Sequence, residues 1–288
     1  MANRLGYFFL GFATIIMAGL LSHAVAAADS PAIVLTAFGT STPATSTYEY
    51  FEKQVKARFS GHEIRWAYTS HNVRAKLKKE RNLNLKDLTQ TLRELKAAGF
   101  TQVVVQSLHV VPGAEWDEVI KESQSVPGLK AALGSPLLTS PADRRQVLDD
   151  LEKSFPKDLK TTAVVLVGHG SPTPKGEAEY LAFADLLTSR FPQQNVFLGV
   201  IAGQPSREAA LGKVKASGAD TVVFIPLFFV AGEHINKDIL GDEPESWKSE
   251  LLKHKAYRIE GIRQGLGYRD GIVKIYLDRL AQALKSLQ

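Results

Sequence analysis

Two imidazoles and one carboxylate carry most of the chemistry legible in this chain. They are His169 in VGHGS, His234 in AGEHIN and Glu115 in PGAEW. Two His and one Glu form a donor set that suits a divalent transition metal and leaves coordination positions open. No short motif vouches for it: HExxH is absent, and the three residues are far apart in sequence. What links them is position, because each follows an apolar, β-branched run. Each also has a plainer reading: a capped turn histidine, an exposed loop histidine, and an acid favoured by a helix N-terminus.

The runs that must position these residues occur twice. AIVLTAFGTSTP at 32–43 is matched by AVVLVGHGSPTP at 163–174, and VPGAEWDEVI at 111–120 by VAGEHINKDI at 230–239. Laid on each other, Phe38 meets His169 and Glu115 meets His234. Continuous apolar runs ending in glycine and hydroxyl residues read as buried strands of a parallel sheet, each leading through a loop into a helix. Helical patterns follow at 48–59 and 177–191, strands at 63–70 and 195–203, helices at 86–98 and 207–217, then strands from 101 and 220. A fourth strand and a further helix complete each half, at 131–138 and 141–155, and at 257–262 and 268–287. This alternation predicts an α/β protein of two Rossmann-like domains, each a parallel sheet flanked by helices, related by internal duplication. The expected domains are 29–160 and 161–288. Ligands of open parallel sheets bind beyond the carboxyl ends of the strands, so His169, His234 and Glu115 are expected to converge on the cleft between the halves.

Composition narrows the classes further. The chain has 288 residues, 44% of them hydrophobic, and no cysteine. A packed core is expected; disulfides and thiolate metal sites are excluded. Residues 1–28 have a basic start at Arg4, a long apolar stretch and small residues at the exit, the layout of a cleavable secretory signal peptide. The expected location is therefore periplasmic, with no stable membrane insertion after cleavage. Removing that segment takes away only Arg4 and leaves 34 basic residues against 30 acidic ones. No basic arm, zinc finger or RNA-binding signature is present, so nucleic acid is not an expected partner. The turns at 39–42 and 170–174 are neither GxGxxG nor a P-loop with its lysine, so no nucleotide is inferred.

LTAFGTS, YTS with Arg74 four residues after its serine, QSLHVVPGAEW, VGHGS and PLFFVAGEHINKDI followed by ESWK together resemble the anaerobic-type sirohydrochlorin cobaltochelatases, members of the class II chelatases. The resemblance spans nearly the whole chain after the leader. It implies two Rossmann-like domains around a tetrapyrrole cleft, with the metal held by His169, Glu115 and His234. It implies insertion of Co²⁺ into sirohydrochlorin on the route to cobalamin, with two pyrrole protons released. His169 and Glu115 are then the catalytic pair, His169 serving as both ligand and proton acceptor. The substrate is rimmed with carboxylates, and Thr40, Ser41, His71, Arg74, His109, Ser171 and Glu233 are the candidate contacts. Fe²⁺ and Ni²⁺ are alternative metals, since this donor set does not discriminate. The sequence carries no signal deciding whether haem binds or whether the chain forms a homo-oligomer. Export fits poorly with a cytoplasmic pathway. It keeps open a non-catalytic periplasmic metal or haem carrier on the same fold, and ferrochelatase-type activity as a third reading.

Overall fold

The computed structural model describes residues 30–288; the leader expected at 1–28 lies outside them. The first half runs β1 (Ala32–Ala37), α1 (Ser46–Arg58), β2 (Ile64–Tyr68), α2 (His71–Arg81), α3 (Leu88–Ala97), β3 (Gln102–Ser107), α4 (Ala114–Ser123), β4 (Lys130–Gly134) and α5 (Pro141–Glu152). The second runs β5 (Thr162–Gly170), α6 (Pro174–Arg190), β6 (Val196–Ala202), α7 (Arg207–Ala216), β7 (Thr221–Leu227), a π-helical turn (Ile235–Ile239), α8 (Trp247–Leu252), β8 (Arg258–Gly261) and α9 (Asp270–Lys285).

Each half builds a four-stranded sheet, in the orders β2-β1-β3-β4 and β6-β5-β7-β8. Every pairing is parallel. The central strands are buried on both faces: all six residues of β1 are buried, as are Ala163–Gly168 of β5. This explains why they read as unbroken apolar runs rather than alternating ones. From β1 the chain steps to β2 on one side and later returns to β3 on the other; β5, β6 and β7 repeat the move. A crevice therefore opens above the carboxyl ends of β1 and β3, and of β5 and β7.

The two sheets share one core. Ile33, Leu35 and Val104 belong to the same apolar cluster as Val164, Leu166 and Leu198. The last helix crosses over: α9 packs on β3, β4 and α5 of the first half. There the Tyr276 hydroxyl donates to the His109 carbonyl at 3.1 Å, and Arg279 pairs with Asp143 at 2.6 Å. No helix among the described residues is long and apolar enough to cross a membrane.

Helix α2 departs from expectation. No element is expected between the strand at 63–70 and the helix at 86–98, because HNVRAKLKKER offers only two apolar residues with helical spacing, Val73 and Leu77. The helix is set by its ends instead. The Ser70 hydroxyl accepts the Val73 N–H at 3.3 Å, and Asn82 closes the helix in the left-handed region at φ 52°.

Candidate metal centre

His169 is carried on the tip of β5, which runs nine residues against six in β1. Its flanking glycines serve packing rather than leaving space for a ligand. A Cβ on Gly168 would lie 2.5 Å from Tyr180 Cε1, and one on Gly170, where φ is +91°, would lie 1.7 Å from the Ala202 carbonyl oxygen. His234 follows β7 and leads into the π-helical turn, a form found mainly at functional positions. Its ring meets His169 edge to face, with centroids 5.2 Å apart and planes at 70°. Phe228 stacks beside it at 6.0 Å. His234 Nδ1 is hydrogen-bonded to the Asp238 carboxylate. An acceptor there holds the proton on Nδ1 and leaves the Nε2 lone pair free to bind a metal. Glu115 comes from the first turn of α4, and it shares with both histidines a cavity of about 480 Å³.

The cavity is apolar over much of its wall, through Phe38, Val73, Leu108, Val111 and Phe228, and polar at Thr40, Ser41 and Glu233. Burial, and then the neighbouring His234, push the His169 pKa below its usual value; Glu115 and a backbone hydrogen bond with Gly170 oppose the shift. The ring is therefore kept in the neutral form that can bind a metal or accept a proton. His109 is pushed further, to about 4, by burial, against the pull of Glu115. Both of its nitrogens meet hydroxyls: Nδ1 lies 2.8 Å from Ser107 Oγ and Nε2 3.2 Å from Thr69 Oγ1. Among the described residues, no three His, Asp or Glu side chains stand together as a closed metal cage. The two imidazoles are in contact, and the carboxylate shares their cavity from the other half of the chain.

Of the expected substrate contacts, Thr40, Ser41, His109 and Glu233 line this cavity. Three others do not. His71 is exposed at the start of α2. Arg74 is committed to the Tyr68 carbonyl at 2.7 Å and to Asp87 at 3.9 Å. Ser171 is 7% exposed, because its hydroxyl caps the following turn at Thr173 and fills the space left by Gly113 and Gly176. Sequence reasoning also missed wall residues. Phe38 was signalled by its alignment with His169; it sits 5.8 Å from that ring. Tyr180 had no signal, since it is one of two buried aromatics on α6, with Phe183.

Comparison with known proteins finds relatives over most of the chain. The cobalt chelatase (CbiK) family model matches residues 31–285. The sirohydrochlorin cobaltochelatase CbiKC of Nitratidesulfovibrio vulgaris is 33% identical over 261 residues, covering 88% of this chain and 91% of that protein. The sirohydrochlorin cobaltochelatase of Salmonella typhimurium is 29% identical over 260 residues, covering 88% and 96%. Among solved structures, SirB from Bacillus subtilis with Fe³⁺ superposes with a TM-score of 0.62 at 16% identity, covering 90% of this chain and 97% of that one. At that identity the likeness concerns the fold.

Proposed function

The chain belongs to the cobalt chelatase (CbiK) family, and from that premise we propose that it is a sirohydrochlorin cobaltochelatase, inserting Co²⁺ into the ring with release of two protons. One observation carries the reading: two imidazoles in edge-to-face contact at the switch point of one sheet, in a cavity shared with a carboxylate from the other half of the chain. His169, His234 and Glu115 hold the incoming Co²⁺. Three protein donors leave positions where pyrrole nitrogens replace water. His169, neutral because it is buried, takes up one of the two pyrrole protons once Co²⁺ has left its nitrogen for the ring, and the other passes to solvent. The apolar wall around Phe38 and Phe228 receives the face of the macrocycle. Fe²⁺ and Ni²⁺ compete at the same donors, since the order of affinities does not set the biological choice.

The test is an absorbance time course of metal-free sirohydrochlorin with Co²⁺ and the protein, beside His169→Ala and a protein-free control. Catalysed metallation that is lost in the variant supports the assignment. Stoichiometric binding of metal or ring without turnover would instead mark a carrier. Export is part of the same proposal. The family match begins at residue 31, beyond a segment with the charge and hydropathy pattern of a signal peptide. The amino terminus of protein recovered from the producing cell's envelope should fall near Ala26–Asp29; an intact Met1 on soluble cytoplasmic protein would overturn it.

A further inference from the structure

The proposed substrate is a macrocycle rimmed with carboxylates, whereas the wall beside the histidines is largely apolar. Cations are needed at the mouth, and Arg74 is turned away to Tyr68 and Asp87. Helix α2 supplies others: Arg74, Lys76, Lys78, Lys79 and Arg81 against a single acid, Glu80. Among the described residues, only Arg74 of these five is paired with a carboxylate. Val73 lines the cavity and Leu77 is buried, which fixes the inward face of the helix. At 3.6 residues per turn, Lys76 and Arg81 flank that face within an arc of about 140°, with Glu80 between them, while Lys79 lies on the far side. Arg81 Nη2 donates to the Ser41 carbonyl at 3.0 Å, and Ser41 is itself in the cavity wall. On the opposite lip, Lys237 is paired with Glu233 at 2.5 Å.

We propose, on the premise that sirohydrochlorin is the substrate, that Lys76 and Arg81 form a cationic lip that receives its peripheral carboxylates and so selects polycarboxylate macrocycles over apolar ones. Charge-assisted contacts of this kind strengthen binding without touching the reacting atoms, so the lip acts on substrate affinity and leaves the metallation step alone.

The experiment titrates metal-free sirohydrochlorin into the full chain, followed by absorbance, and then measures KM and kcat for metallation. The variants are Lys76→Glu, Arg81→Gln, the conservative Lys76→Arg, and Lys79→Glu, which makes the same charge change on the outer face. Circular dichroism confirms that each is folded. Lys76→Glu and Arg81→Gln should weaken binding and raise KM by about tenfold, with kcat within about twofold of wild type. Lys76→Arg and Lys79→Glu should resemble the wild type. Added salt should weaken the wild type more than Lys76→Glu. Unchanged KM in both lip variants, an equal loss in Lys79→Glu, or a loss confined to kcat would overturn the lip alone. A wild-type protein that neither binds nor metallates sirohydrochlorin would overturn the function and the lip with it.

Discussion

Replacing His109 by glutamine should make the protein less sensitive to acid. In the folded chain this ring takes up a proton only near pH 4, because it is buried; an unfolded histidine does so near 6.5. Between those values the unfolded chain holds more protons than the folded one, so stability is intact above about 6.5 and is lost as pH falls towards 4. At pH 5 the gap between ambient pH and the unfolded value is about 1.5 units, or about 2 kcal/mol, a thirtyfold change in the unfolding constant. The edge of the ring that faces cavity water makes this a ceiling. Glutamine does not titrate and can still bond the Ser107 and Thr69 hydroxyls that now meet the two ring nitrogens. Urea unfolding at pH 7.5 and pH 5.0 reads the effect, and other histidines, His169 included, cancel between the two proteins. Wild type should lose up to about 2 kcal/mol more than His109→Gln over that interval. Parallel losses would refute the buried, neutral ring. Glu115→Gln sharpens the test: Glu115 opposes the shift of both His109 and His169, so removing its charge should deepen the acid sensitivity of the histidine form more than that of the glutamine form.

Three further outcomes are expected. Burial and His234 hold the His169 pKa down, so the acid limb of the metallation rate should have its midpoint below about 6.5; a midpoint above that value would contradict the shift. Asp238→Asn removes the carboxylate bonded to His234 Nδ1 and should weaken Co²⁺ affinity by about 10–100-fold with the fold intact; calorimetry showing wild-type affinity would dismiss Asp238 as an orienting group. Gly170→Ala places a Cβ 1.7 Å from the Ala202 carbonyl at a φ of +91°, which should cost about 1–3 kcal/mol of stability; a variant with wild-type Tm would show that the tip of β5 can relax.

The parts of the fold that sequence carries openly are those whose environment is uniform along the chain. β1 and β5 are covered on both faces, so VVLV at 164–167 and AIVLTA at 32–37 could only be central strands. The duplication then placed His169, His234 and Glu115 by analogy of position. What stayed hidden depended on tertiary partners. Helix α2 buries only Leu77, so its pattern is too thin to separate from a solvated loop. Arg74 looked like a rim cation because its type suits carboxylates; nothing local says that Tyr68 and Asp87 would claim it. Ser171 looked like a loop hydroxyl, and it is a spacer because Gly113, remote in sequence, and Gly176, one helical turn on, leave no room for anything larger.

Helix α9 gives the molecule an order in time. The sheet of β1–β4 is complete by Gly134, yet part of the apolar surface of β3 and β4 is covered by the last helix of the chain. The first half therefore remains unsealed until Tyr276, Leu280 and Ala283 dock on it. Domains that close on themselves can fold one after another during synthesis; here the earliest strands wait for the latest residues. A nascent chain halted before Asp270 would display β3 and β4 uncovered, a surface that invites chaperones or aggregation. Docking of the last helix, rather than completion of the four strands, is what closes the first half.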